Sequence, residues 1–380
     1  MKKKALIFSS YVLVAVLASF LTLLLFGGST GVSKLDQLER LILERFIGEA
    51  DAVALEDAAA EAMVAATGDK WSYYISAADY AYYQEQAANA YVGVGITIQA
   101  ESDGGYRIVE VAEGGPAEEA GLMVKDLLVG AAGTDVREMD VDDVKALVKG
   151  KEGTFVELTV LREEKELVFS VERRQVRTIV AKGEMLTDDV GLVTIENFDS
   201  RCAEETIAAI EALMEQGAQK LIFDVRNNPG GYADELIKVL DYLLPEGEVF
   251  HTLDYTGKEN IDYSDKKHLD LHMAVLVNSE SYSAAEFFAA ALKEYEAAVV
   301  VGEQTCGKGY FQTTIHLNDG SAVALSIGKY FTPKGENLAD IGITPNKVVD
   351  VDDETFWKIY YGTLPKEEDP QIQAALELLK

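Results

Sequence analysis

Histidine, cysteine and positive charge are the three things this 380-residue chain is short of. Its four histidines are scattered. His251 and His316 are isolated, and none stands near the serine- and lysine-bearing motif described below, so a serine–histidine pair has no evident base there. His268 and His272 are four positions apart, a spacing that can put two imidazoles on one helix face for a metal. Leu-Asp-Leu lies between them without a metalloprotease glutamate and leads into an apolar run, so neither a metal nor another cofactor is expected. Cys202 and Cys306 are the only cysteines, enough for one disulfide and weak evidence for any. With 34 basic against 65 acidic residues the net charge is −31, which argues against nucleic-acid or anionic-membrane binding by the soluble part, because both need basic surface.

Apolar residues make up 48% of the chain, which supports real cores, and the length allows two or three domains. Lys2-Lys3-Lys4 precedes the uncharged run Ala5–Phe26, long enough to cross about 30 Å of hydrocarbon. The basic end belongs in the cytoplasm. A cleaved signal peptide is the competing reading, but its apolar core would be shorter and Phe26–Thr30 offers no clear Ala-x-Ala site. The expectation is a single-pass cell-membrane anchor in residues 1–28, with the remainder outside the cytoplasm. Leu35–Ile47 and Leu55–Ala66 read as helices within a helical region, 29–90.

From Tyr91 to Arg174 the strand and turn signals mark a separate module. Tyr91–Ile98 reads as one glycine-punctuated strand, and Gly115-Pro116-Ala117 as the entry to a short helix. Residues 175–350 follow as a mixed α/β core. Within it Lys220–Val225 is an apolar strand ending in Asp224-Val225-Arg226-Asn227-Asn228-Pro229-Gly230-Gly231, where Asp224 and Arg226 are expected to pair. Ala274–Val277 is another strand, followed by a polar break and Ser283, and Ala284–Leu292 is rich in helix formers. Ser283 therefore falls at a helix N-terminus, where free N–H groups and the positive dipole end favour an oxyanion. A serine there is also an ordinary N-cap. Lys308, in the glycine-flanked turn Thr305–Gly309, can serve as base if desolvation lowers its pKa, and Gln312 can then orient the amine. Cys306 is the candidate nucleophile if Ser283 is not. A C-terminal tail, 351–380, ends in an amphipathic helix that packs on its own subunit or on a partner.

The block Val275–Asn278, Ser281–Glu286, Val301–Gly309 and Gln312 resembles the core of the carboxyl-terminal processing (tail-specific) peptidases. Lys308 follows Ser283 by 25 positions and Gln312 follows Lys308 by four, as in that family, and Ala284 and Glu286 single out Ser283 over Ser279 and Ser281. Tyr282, Cys306 and Lys70 depart from it, standing where a small residue, an aromatic and a proline are usual. The order of elements in 91–174 is similar to a PDZ domain. The resemblance implies a mixed α/β, crotonase-like (ClpP-like) serine-protease core with an inserted PDZ domain, and a membrane-anchored endopeptidase without cofactor. It implies Ser283 as nucleophile, Lys308 as base, Gln312 as orienter, and the N–H groups of Ala284 and Gly231 as oxyanion hole. It implies that Tyr91, Gly93, Val94, Gly95 and Ile96 hold the C-terminus of a protein or peptide substrate. The helical region would contribute dimer contacts. The alternative is a non-catalytic PDZ adaptor or scaffold.

Overall fold

The computed structural model describes residues 33–380. The basic tip and the apolar run Ala5–Phe26 lie outside the described residues. Among the described residues no helix is long and apolar enough to cross a membrane.

The chain divides into a unit ending at Tyr74 and a larger one from Ile75 to Lys380. In the first, helix Lys34–Arg45 starts on a capping box: Ser33 Oγ accepts from Asp36 N–H, and the Asp36 carboxylate accepts from Ser33 N–H, each at 3.1 Å. Helix Ala52–Ala65 is capped by Asp51. Leu38, Leu41 and Phe46 of this unit are exposed.

The larger unit is built on a six-stranded sheet in the order Ala181–Met185, Val190–Ile195, Lys220–Asp224, His272–Val277, Ala298–Gly302, Lys347–Val348. Only the first pairing is antiparallel; the others are parallel. Its central strands are apolar on both faces, as a parallel sheet with two covered faces requires. Successive residues alternate between two cores. Leu221, Phe223, Met273, Val275 and Val277 face helices Cys202–Glu215, Ala233–Leu243 and Ala284–Glu294. Ile222, Ala274 and Leu276 face Ile372, Ala375 and Leu379 of the C-terminal helix, which thus packs on its own chain. Phe288, fully buried, sets helix Ala284–Glu294 against the sheet through edge-on contact with Phe223 (ring centroids 5.3 Å apart) and tilted contact with Phe198 at 5.6 Å. Such pairs each add about 0.5–1.5 kcal/mol beyond the area they bury.

An antiparallel sheet flanks this layer, with Ala322–Phe331 between Tyr310–His316 and Gly247–Asp254, and Glu259–Ser264 beyond. Helix Ala77–Ala87, which carried no clear sequence signal, docks on Tyr310–His316: the Tyr83 and Thr314 hydroxyls lie 3.0 Å apart, and Tyr80 meets His316 at 3.2 Å.

The expected single strand over Tyr91–Ile98 is two strands in two sheets. Ala90–Gly93 pairs with Arg174–Arg177, closing a two-stranded clasp at the root of the inserted module. Ile96–Ala100 opens a separate sheet and pairs with Tyr106–Val111. Gly95, at φ +78°, makes the break, because left-handed backbone cannot continue a ladder and only glycine enters it without a Cβ penalty. Within the module Ile96–Ala100 is an edge strand, and Ile108, Leu128, Leu158 and Val144 form its own core.

Candidate active site

The loops that leave the C-terminal ends of the parallel strands converge, the usual place for a site in an open α/β sheet. Two of them are zipped together. Asn227 N–H donates to Asn278 Oδ1 at 2.9 Å and Asn278 Nδ2 returns a bond to Asn227 Oδ1 at 2.8 Å. Ser281 Oγ donates to the Val225 carbonyl at 2.7 Å, and Tyr282 N–H to that of Asn228 at 3.1 Å. Ser281 is consequently buried and structural.

Ser283 emerges from this braced turn at φ +58°, ψ −125°, a conformation a side chain rarely adopts. It costs about 1–3 kcal/mol and persists only where the surroundings impose it. Ser283 immediately precedes helix Ala284–Glu294, as its position among helix formers suggested. Its Oγ lies 2.7 Å from the hydroxyl of Tyr330.

Glu286 supplies the brace on the helix side. Fully buried, it accepts four hydrogen bonds. Ser283 N–H reaches Oε2 at 2.9 Å and Lys308 N–H the same oxygen at 2.8 Å. Thr305 Oγ1 reaches Oε1 at 2.6 Å and Gly307 N–H at 2.8 Å. One carboxylate therefore holds the backbone of the expected nucleophile and of the expected base in a single frame. Burial pushes the Glu286 carboxyl above its ordinary range, and the bonds from Thr305, Lys308, Gly307 and Ser283 draw it only partly back.

The glycine pair Gly230–Gly231 lies against the same turn. A Cβ on Gly230 would come within 2.7 Å of Ser283 Cβ and 2.9 Å of Ala284 N, and Gly230 has φ +90°, so no other residue fits. Gly231 bridges to Phe198 through bonds that use the Gly230 carbonyl and the Tyr232 N–H. The N–H groups of Gly231 and Ala284 have no protein acceptor among the described residues. Beside Gly231, burial raises the carboxyl of Asp199 to about 7.

Lys308 is half-buried, with its backbone fixed by Glu286. Gln312 sits on the neighbouring strand, beside a bulge in its pairing, and its amide donates to the Tyr310 carbonyl at 3.1 Å and to Ser326 Oγ at 2.9 Å. Cys202 is buried and Cys306 half-buried, and both are free thiols. No cluster of three or more potential metal ligands occurs among the described residues. In the inserted module, Tyr91 and Gly93 are engaged in the clasp, whereas Val94 and Gly95 form the turn into the edge strand that Ile96 begins.

Asp224 and Arg226 pair as expected, bidentately at 2.9 and 2.6 Å. The tail adds what the sequence did not suggest: Arg226 Nη1 also donates to Asp369 and Gln371, at 2.8 and 2.9 Å. Sequence reasoning used Glu286 only as a motif marker, although Ser-x-x-Glu before an apolar run is itself a capping-box signal. It missed Tyr330 and Asp199, for which no local pattern exists.

The family model for peptidase family S41 matches residues 189–349, and one for PDZ domains matches residues 107–162. The chain is 31% identical over 368 residues to carboxy-terminal processing protease CtpA of Bacillus subtilis, across 93% of this chain and 79% of that protein. It is 32% identical over 328 residues to a Staphylococcus aureus protein named "Probable CtpA-like serine protease", across 84% of this chain and 65% of the other. The solved structure of a Bacteroides fragilis protein assigned to the S41 proteases covers 90% of this chain and 96% of its own, with a TM-score of 0.56 and 16% identity, a likeness of fold. By sequence, then, the chain belongs to peptidase family S41, as a serine peptidase that carries a PDZ domain.

Proposed function

We propose that the chain is a carboxyl-terminal processing endopeptidase working through a Ser283–Lys308 dyad. The observation that carries this reading is the frame around Glu286, which ties the strained backbone of Ser283 to the Lys308 loop. The edge strand beginning at Ile96 takes an unstructured C-terminus by strand addition, with Val94 and Gly95 near its carboxylate. An upstream segment then enters beside Ser283. Lys308 takes the hydroxyl proton, Ser283 attacks the carbonyl, and the N–H groups of Ala284 and Gly231 hold the oxyanion. Lys308 returns the proton to the leaving amine, and water repeats the cycle on the acyl-enzyme. Gln312 orients the lysine. Lys2–Lys4 and the run Ala5–Phe26 support a single-pass anchor with the peptidase outside the cytoplasm. The exposed leucines of the first helical unit make it the place for a homodimer contact.

The test is cleavage of an unfolded protein with an apolar C-terminus by the chain from Ser33 onward, beside Ser283→Ala and Lys308→Ala, from pH 6 to 10. Loss of about 10³-fold or more in both variants is expected, with parent kcat rising through one group that titrates below a free lysine. Activity surviving in Ser283→Ala would sink the assignment and turn attention to Cys306. Tight peptide binding without turnover in any form, with no labelling of Ser283 by a fluorophosphonate, would instead indicate an adaptor.

A further inference from the structure

Tyr330 touches the nucleophile and is braced to the lysine loop, yet the mechanism above gives it no work. Its hydroxyl is 2.7 Å from Ser283 Oγ. Its backbone N–H donates to the Gly309 carbonyl at 3.3 Å, one residue past Lys308. Asn337 Nδ2 clamps the same two residues, donating to the carbonyls of Gly309 at 2.8 Å and Tyr330 at 2.7 Å. The ring is 5% exposed and packed edge-on against Phe287, with centroids 4.4 Å apart, and against Phe250 and Phe311 at 5.6 and 6.2 Å. A ring held on three sides has one hydroxyl position open to it, and that position is at Ser283 Oγ.

Two hydroxyls in one hydrogen bond use one proton, and which of them donates decides the chemistry. A serine that donates to tyrosine has no proton to offer a base. The phenol is the more acidic of the two and so the better donor. Burial raises the pKa of the Tyr330 hydroxyl above the ordinary tyrosine value, which makes it less acidic than a free phenol but keeps it protonated over the range in which a peptidase works. We propose that Tyr330 is a further catalytic residue, donating its hydroxyl proton into Ser283 Oγ so that the serine's own proton is left for the base. The proton of Ser283 goes to the base on attack and on to the leaving amine, and the proton Oγ receives when the acyl group leaves is the one the base takes from the attacking water. Tyr330 keeps its own throughout. Its hydrogen bond fixes the rotamer of Oγ in the ground state and strengthens whenever that oxygen carries negative charge, above all as the leaving group in deacylation.

This inference rests on Ser283 as nucleophile, so the test compares Tyr330→Phe with Ser283→Ala in the chain from Ser33 onward. The readouts are kcat and KM for peptide cleavage, the rate of fluorophosphonate labelling, and the thermal melt. For Tyr330→Phe, kcat and labelling should fall about 10- to 100-fold, somewhat less than on loss of an oxyanion-hole donor. KM should stay within about twofold and the melt near the parent's, a pattern that lost packing would not give. Unchanged or faster labelling and turnover in Tyr330→Phe, with Ser283→Ala dead, overturn the inference and leave the nucleophile standing. Activity in Ser283→Ala removes both. Should Tyr330→Phe lose its cooperative melt, 3-fluorotyrosine at 330 decides, since it keeps ring and hydroxyl but is more acidic. Its hydroxyl is the stronger donor, so labelling between pH 6 and 10 should be faster than the parent's, and unchanged or slowed labelling would overturn the role.

Discussion

Two buried carboxylates hold this active site, and they are buried on opposite terms. Asp224 fixes the loop that ends in Gly230 and Gly231, while Glu286 fixes the loops of Ser283 and Lys308. Burial drives both carboxyls upward. At Asp224 the charge and hydrogen bonds of Arg226 outweigh burial and hold the group below the usual carboxylate range. At Glu286 the partners are N–H groups and a hydroxyl without formal charge, and burial prevails. The difference separates two kinds of scaffold. The Asp224–Arg226–Asp369 cluster is a charge-paired lock that also captures the C-terminal tail. The Glu286 frame is a geometric clamp whose four donors converge on one point, so its worth lies in position.

The largest effect should come from breaking the lock. Arg226→Met leaves the carboxylates of Asp224 and Asp369 buried without their partner, and about 3–5 kcal/mol of stability should be lost in denaturant unfolding. A loss under about 1 kcal/mol would mean that Asp224 and Asp369 reach water or that the tail is dispensable. Next comes the clamp. Glu286→Gln puts an amide donor where every neighbour is already a donor, at a cost of about 1–3 kcal/mol. It should lower kcat by about tenfold or more through misplacement of Ser283 and Lys308, with peptide binding to the PDZ domain unchanged. Parental kcat in this variant would reduce Glu286 to a fold residue.

The smallest effect is the pH dependence that distinguishes the two carboxylates. Glu286 has a raised folded pKa, so its contribution to stability is fully present below the unfolded value, about 4.3, and is lost as pH rises through the folded one. Glutamine does not titrate. The stability deficit of Glu286→Gln relative to the parent should therefore be largest below about pH 4.3 and shrink as pH rises above it. Asp224 runs the other way: its contribution is present above about 3.9 and is lost only as pH falls below that. A Glu286→Gln deficit that grows with pH would show that the four donors dominate after all.

Local pattern carried much of this molecule. The apolar strands His272–Val277 and Lys220–Asp224, the helix starting at Ala284 and the Asp224–Arg226 pair were legible because each is short-range, set by composition, turn residues or a spacing of two. The spacings from Ser283 to Lys308 and Gln312 carried meaning only through the resemblance to the tail-specific peptidases. The split of Tyr91–Ile98 at Gly95 was not, since glycine in a strand reads the same whether it bulges the strand or hands it to another sheet. Tyr330 lies 47 positions from Ser283, and Asp369 lies 143 from Arg226, and neither belongs to a periodic pattern that points at its partner.

The sequence by itself determined the elements, their order and the residue types that meet at the strand ends, because propensity, hydrophobic alternation and turn chemistry act over a few residues. Only the tertiary structure decided which hydroxyl faces Ser283, which carboxylate holds the lysine loop and which tail residues join the Asp224–Arg226 pair. Those depend on distances across the fold, where burial and partner geometry, rather than spacing along the chain, set the energy of a polar group.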